Sequence, residues 1–288
     1  MIPPSFRRVL ITAAAALTFL VLAGATYQGV ATALERRQFQ HPGQLLDVGG
    51  HQLHIYCTGD GAPTVVLEAP ATGMSAAWGW VQPAVAESTR VCSYDRAGLG
   101  WSEAGDRPYE PSAVAVQLDA LLRRAGERTP YVMVGQGLGA AFATLYAAQF
   151  AGNVAALVLV DAPGPPVRAS QLAPAMRFVD AAPWLARAGV LRATGLMSAR
   201  ANGLPPGSAG PLGAFLNRPD HLTRSARELS RWDETVQLAA AATVDHRLPV
   251  RRLTTPATGR TAFLTEQEAA RAVSTAIAGV VSNVSAGR

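Results

Sequence analysis

The chain has 288 residues, 49% of them hydrophobic, which is enough for one sizeable core plus an appendage. Its formal charge is +5 and every one of its 25 basic residues is arginine. The arginines are scattered, with pairs at Arg7-Arg8, Arg36-Arg37, Arg123-Arg124 and Arg251-Arg252, rather than gathered on one stripe between aromatics, which argues against nucleic acid as a partner.

Arg7-Arg8 precede an almost uncharged apolar run from Val9 to about Tyr27, and Glu35-Arg36-Arg37 follow it. A helix needs about 20 apolar residues to span the hydrocarbon, and this run reaches that length. Two arginines and the terminal amine outweigh the single net positive charge beyond the run, so the N-terminus is expected in the cytoplasm and the body outside it. Ala31-Thr32-Ala33 also offers a small-x-small cleavage site, so a secreted protein with its signal peptide removed is the alternative. The apolar run is longer than the 7–15 residues usual for a signal, which favours an uncleaved anchor.

After a polar link from Gln38 to Gly43, Leu45 to Val48, the turn Gly49-Gly50, and Gln52 to Cys57 read as a β-hairpin. Thr64 to Glu68 and Arg90 to Tyr94 are short buried strands. Between them Ser75 to Glu87 has helical spacing, with Trp78, Val81 and Val85 on one side. Pro111 to Ala125 is a helix whose Val114, Leu118, Leu121 and Leu122 share a face, with Gly126 at C′. A strand at Tyr131–Val134, an apolar helix at Leu138–Phe150 and a strand at Val154–Val160 follow. Strands alternating with helices at this spacing predict an α/β fold with a mostly parallel sheet covered on both faces.

From Pro166 to about Asp245 short Ala-rich helical stretches are expected, broken by Pro174, Pro183, Pro205-Pro206, Pro211 and Pro219, as an inserted helical lid. The core resumes at Leu248–Leu253. Thr265-Glu266-Gln267-Glu268 forms a capping box for a last helix with Ala270, Val273, Ile277 and Val280 inward. The domains expected are an anchor and link (1–40), a core (41–165), a lid (166–245) and a C-terminal strand and helix (246–288).

The chemistry is concentrated at Gly135-Gln136-Gly137-Leu138-Gly139, an apolar strand feeding a Gly-x-Gly-x-Gly turn and a helix. With Val48-Gly49-Gly50-His51, Ile55 to Gly59, Val65 to Ala69, Trp80 to Pro83, Arg90 to Ser102 and Leu157 to Asp161, this stretch resembles the α/β-hydrolase superfamily. In particular it is similar to a bacterial membrane-anchored subgroup, with a degenerate nucleophile elbow. The resemblance implies an α/β-hydrolase fold in which the nucleophilic serine stands where Gly137 does. Glycine keeps the strained turn but supplies no attacking atom.

The resemblance further implies a base near the C-terminus, where the best local match is Arg260, a group protonated at any working pH. No Asp follows Asp245 to orient a base. The oxyanion donors would be the N–H groups of Ala71 and Leu138, with Pro70 intruding on the first loop. No catalytic residue is therefore intact, and the elbow, Arg260, Pro70 and Ala71 are vestigial positions. In the same fold the second and fourth strands adjoin, so Cys57 and Cys92 form either a disulfide or two buried small hydrophobes. Asp95 and Ser102 lie in an Asp-Arg-x-Gly-x-Gly-x-Ser loop that the family uses structurally, Asp161 could orient a base, Ser208 reads as loop and His246 as solvated.

No cluster has metal-ligand spacing, and no cofactor or metal is expected. The expected function is a membrane-held, non-catalytic pseudo-hydrolase binding a small apolar ligand or a protein partner. The alternative is an esterase-like enzyme working through residues outside the usual triad.

Overall fold

The computed structural model describes residues 3–106, 108–164, 169–254 and 264–287. Seven strands form one sheet: β1 (Gln44–Asp47), β2 (Gln52–Thr58), β3 (Thr64–Glu68), β4 (Val91–Tyr94), β5 (Tyr131–Gln136), β6 (Val154–Val160) and β7 (Val250–Leu253). Their order is β1-β2-β4-β3-β5-β6-β7. β1 and β2 form the hairpin, β2 is antiparallel to β4, and every later pairing is parallel.

Side chains alternate across the sheet with period two, so each strand feeds two cores. Val66, Cys92, Met133 and Leu157 face α3 (Pro111–Arg124) and α4 (Leu138–Gln149). Val65, Leu67, Val132, Val134 and Val158 face α2 (Val81–Ala86) and, beyond the lid, α10 (Gln267–Ala286). Both sheet faces are thus covered, which is why the parallel strands are continuous apolar runs. This is the mostly parallel α/β architecture, covered on both faces, that the alternation of strands and helices predicts.

Several local expectations are corrected. The segment from Ser75 to Glu87 is not one helix: a 3₁₀ turn at Ser75–Trp78 and α2 are separate, though Trp78, Val81 and Val85 still share one core. Gly79 lies between them with no room for a Cβ beside Ser208. The last helix starts with Glu266 at its N-cap rather than Thr265, without a side-chain cap, so the capping box is not formed. Val280 is half-buried, and Val281 takes the fully buried place beside Ile277.

Between β6 and β7 the chain forms α5 (Ala169–Arg187), α6 (Val190–Thr194), a 3₁₀ turn at Ser198–Ala201, α7 (Pro206–Phe215), α8 (Pro219–Ser230) and α9 (Trp232–Ala241). Pro174 and Pro183 lie inside α5 and Pro211 inside α7, so these prolines do not break the helices. Pro206 and Pro219 instead occupy first helical turns, where the missing N–H costs nothing. Ser208 is in the first turn of α7, not in a loop. The lid has its own core, in which Leu191, Met197, Leu212, Phe215 and Leu222 pack on Met74 and Ala77.

The first helix, α1 (Pro4–Gln38), is long and apolar enough to cross a membrane, and the apolar window that passes this test is unburied. Its second half behaves differently, because it docks on the lid. The Gln28 amide donates to the backbone carbonyl of Asn217 at 2.9 Å and accepts from Arg192 Nε at 2.9 Å. Arg192 also pairs with Glu35. Gly24 crosses the Ala188–Gly189 loop so closely that a Cβ would overlap the Ala188 carbonyl oxygen.

Cys57 and Cys92 are direct register partners on β2 and β4, and their sulfurs are bonded. The bridge closes a sequence separation of 35 residues, which chain-entropy reasoning values at about 3–4 kcal/mol. Alkylation of the unfolded, unreduced protein should therefore add no mass. Cys57→Ser with Cys92→Ser should lower the unfolding free energy by about 3 kcal/mol in urea melts.

Candidate active site

β5 ends at Gln136 and α4 begins at Leu138, so the turn between them is the single residue Gly137, at φ +54° and ψ −124°. That conformation strains any L-residue by about 1–3 kcal/mol. A Cβ there would meet one atom, Pro70 Cβ, at 3.8 Å, so the place of a serine side chain is sterically open. The flanking glycines are different. A Cβ on Gly135 would land on the backbone of Gly139, and one on Gly139 on the carbonyls of Glu68 and Ala69. Those two glycines are required by close packing of β5, α4 and the loop after β3.

That loop, carrying Pro70 and Ala71, is clamped from below. Arg96 follows β4 and is buried, and all five of its guanidinium N–H donors are matched. Nε and Nη2 grip Glu228 of α8 at 2.9 and 3.0 Å. Nη1 reaches Glu68 at 2.6 Å and the Ala69 carbonyl at 2.7 Å, and Nη2 also reaches the Pro70 carbonyl at 3.1 Å. The guanidinium lies 5.1 Å from the ring centroid of Phe142 on α4. Burial pushes the Glu68 carboxyl above its usual range, and Glu228 adds to this, against the pull of Arg96 and the Tyr94 hydroxyl. Next to Pro70, Thr72 has φ +63°, and its carbonyl accepts from His221 of α8.

The chain has five histidines, and none of them comes within 4 Å of a Cβ placed on Gly137. His221 Nε2 donates to the Thr72 carbonyl at 3.0 Å while Nδ1 accepts from the Gly100 N–H at 3.1 Å. These bonds fix a neutral ring, and burial lowers its pKa, outweighing the carbonyl bond. His54 on β2 is the opposite case. Nδ1 lies 3.0 Å from Asp95 Oδ2 and Nε2 faces the Pro42 carbonyl, so both nitrogens point at acceptors. Burial disfavours its charge, but Asp95 outweighs burial and the pKa is raised.

Ser75 Oγ stands 3.4 Å from His54 Nδ1, the nitrogen already facing the carboxylate. A serine needs the other nitrogen for general-base activation, so Ser75, His54 and Asp95 do not form a working relay. His41 stacks edge-on against His54, and a Cβ on Gly105 would meet the His51 ring. His246 is 91% exposed beside Asp245.

Asp95 and Ser102 build the loop after β4. Asp95 accepts from the N–H groups of Ser75 and Trp101, and Ser102 donates to the Asp95 carbonyl. Asp161 follows β6 at φ +47°, its N–H donating to the Leu253 carbonyl. Arg260 lies outside the described residues. β7 pairs with β6, and among the described residues no strand lies beyond it.

Sequence reasoning passed over the Arg96–Glu68–Glu228 cluster, His221 and the His54–Asp95 pair. A signal existed in Glu68 and Asp95-Arg96, charged residues at the carboxyl ends of two adjacent buried parallel strands.

A cavity lies away from Gly137. About 750 Å³ opens between the link after α1, the 3₁₀ turn at Ser75–Trp78 and the start of α7, lined among others by Tyr56, Trp78, Gln82, Ser93, Trp101 and Ser208.

Comparison with known proteins agrees with this architecture. The model of the alpha/beta hydrolase fold family matches residues 63–257, more than half of the chain, and the chain belongs to that family. Among solved structures, epoxide hydrolase CorEH is similar at 18% identity and a TM-score of 0.62, over 81% of this chain and 96% of that one. The enol-lactonase from Burkholderia xenovorans LB400 is similar at 16% identity and 0.61, over 83% and 100%. Haloalkane dehalogenase DbeA from Bradyrhizobium elkani USDA94 is similar at 18% and 0.62, over 85% and 99%. At such identities the likeness concerns the fold.

An uncharacterized protein of Schizosaccharomyces pombe is 39% identical over 85 residues, 28% of this chain and 15% of that protein. YbdG of Bacillus subtilis is 24% identical over 125 residues, 41% of this chain and 37% of that protein. The chain therefore matches well under half the length of these relatives.

Two experiments test the geometry. Gly137→Ser should fold with a loss of about 1–3 kcal/mol and still fail to turn over p-nitrophenyl esters. Gly139→Ala, which drives a methyl into backbone, should cost about 3 kcal/mol or more. The histidines set a pH dependence. His221, lowered in the native state, contributes stability that is lost as pH falls below the unfolded value of 6.5. His54, raised, contributes stability that is lost as pH rises above 6.5. In thermal melts, His221→Gln should flatten the slope on the acid side of 6.5, and His54→Gln the slope on the alkaline side.

Proposed function

We propose that this chain is a membrane-anchored, non-catalytic member of its family that binds a small apolar molecule between lid and core. The observation carrying this reading is Gly137: the elbow is built, its side-chain place is open, and no imidazole comes within 4 Å of that place, where Pro70 Cβ is the one neighbour. The cavity beside Trp78 and Trp101 supports the binding half. Its walls are mostly apolar, and Gln82, Ser93 and Ser208 supply a few polar groups that would orient a ligand.

The docked half of α1 favours a retained anchor over a cleaved signal. Cleavage after Ala33 would remove Gln28, whose amide ties α1 to Asn217 and Arg192. With α1 retained, the charge balance around it keeps the N-terminus in the cytoplasm and the body outside.

A fluorophosphonate probe on the purified full chain should label no serine; stoichiometric labelling, of Ser75 above all, would overturn the non-catalytic reading. A diazirine-bearing decanol should crosslink to peptides around Trp101 and Pro205–Pro211. Gly207→Trp, placed at a cavity-lining position with open space around it, should abolish that crosslink. Crosslinks found on α1 alone would count against a ligand in the cavity.

A further inference from the structure

The lid surface nearest the exit of α1 is apolar and uncovered. Trp184 of α5 is 71% exposed, with the Arg187 guanidinium 5.0 Å from its ring centroid. Val190, the first residue of α6, is 43% exposed. These residues bracket the Ala188–Gly189 loop, which is where α1 leaves the body, because Gly24 lies in backbone contact with it. The Ala188 N–H donates to the Trp184 carbonyl, so Trp184 sits one helical turn before that exit.

α1 itself has two regimes. From Phe6 to Leu22 its large apolar side chains are exposed, roughly 25 Å of helix at 1.5 Å per residue, close to the thickness of a hydrocarbon core. From Gly24 onward one side is held to the lid, while Tyr27, Val30 and Leu34 on the other side stay exposed. Glu35 to Arg37 then end the apolar stretch. Helix and lid therefore present apolar groups at the same level, where the spanning segment enters the protein body.

We propose that the lid of this protein is a lipid-contacting element. The surface carrying Trp184 and Val190 rests in the headgroup–acyl boundary of the membrane that α1 enters. Three features fit lipid rather than another protein. The surface is continuous with the spanning helix. Its largest residue is a tryptophan, a side chain enriched at membrane interfaces. Arg187 stacks there with its charge free to reach lipid phosphates. The docking of α1 on α5 and α6 fixes the lid against the bilayer and leaves it no free tether.

The inference rests on α1 being a retained membrane span, and the test separates the two. Single cysteines replace Val190, Val116 or Leu17 in the full chain, all exposed positions whose substitution leaves packing intact. The native disulfide keeps Cys57 and Cys92 from reacting. Each variant is nitroxide-labelled and placed in nanodiscs of phosphatidylcholine and phosphatidylglycerol, and collision with oxygen is compared with collision with a water-soluble nickel chelate.

The oxygen-to-nickel ratio at Val190 should exceed that at Val116 on α3 severalfold and fall below that at Leu17. A Leu17 label inside the bilayer with a Val190 label matching Val116 would overturn the lid contact and leave the anchor standing. A Leu17 label in water would overturn both. A Val190 label shielded from both reagents would mean a protein neighbour, a second copy or a partner, and would also overturn the proposal. As a second readout, quenching of tryptophan fluorescence by brominated lipids should drop measurably in Trp184→Phe.

Discussion

One buried guanidinium holds this molecule together at its centre. Arg96 takes Glu68 from the end of β3, Glu228 from α8 of the lid and the carbonyls of Ala69 and Pro70, and it lies over Phe142 of α4. Burying a charge costs several kcal/mol, which is recovered only when every donor is matched. Here all five are. Removing one partner of such a cluster costs about 3–5 kcal/mol, because the others are left charged in a dry interior. The lid is therefore a fixed part of the core, and His221, also on α8, adds a second tie to the loop after β3. The cavity of about 750 Å³ lies beside the start of α7, and Gly137 is not among its lining residues.

The same rigidity passes outward to α1. Gln28, Arg192, Glu35 and Asn217 join the helix to α6 and α7 with buried polar contacts, and Gly24 lets the two backbones touch. Core, lid and the second half of α1 thus form one mechanical unit. Whatever the helix inserts into sets the distance and tilt of the lid.

The α/β alternation, the hairpin and the strand positions were legible because buried parallel strands are near-continuous apolar runs bounded by turn residues. Helices across Pro174, Pro183 and Pro211 were not, since a proline normally argues for a helix end, and here tertiary packing of the lid overrides that preference. The elbow was legible from its glycines. What the pattern could not convey is the pairing of Arg96 with Glu228, 132 residues apart in the chain, because a buried ion cluster leaves no local periodicity. Nor could it separate the two buried histidines, whose pKa values move in opposite directions because of what faces each ring. Docking of α1 escaped for a related reason: its polar anchors, Gln28 and Glu35, lie inside or just beyond a run whose hydropathy points only to lipid.

The survival of an elbow without its serine has a physical explanation that does not involve catalysis. Gly135 and Gly139 are held by contact, since any side chain there would meet backbone of α4 or of the loop that Arg96 clamps. They must remain as long as that packing remains, whatever the chain does chemically. Position 137 obeys a different constraint. Its positive φ strains every residue but glycine, and an enzyme accepts that strain because it aims the serine hydroxyl. Glycine relieves that strain while leaving β5, α4 and the clamped loop in place. The packing of the fold thus requires glycine at 135 and 139, whereas at 137 glycine is set by backbone conformation and not by contact.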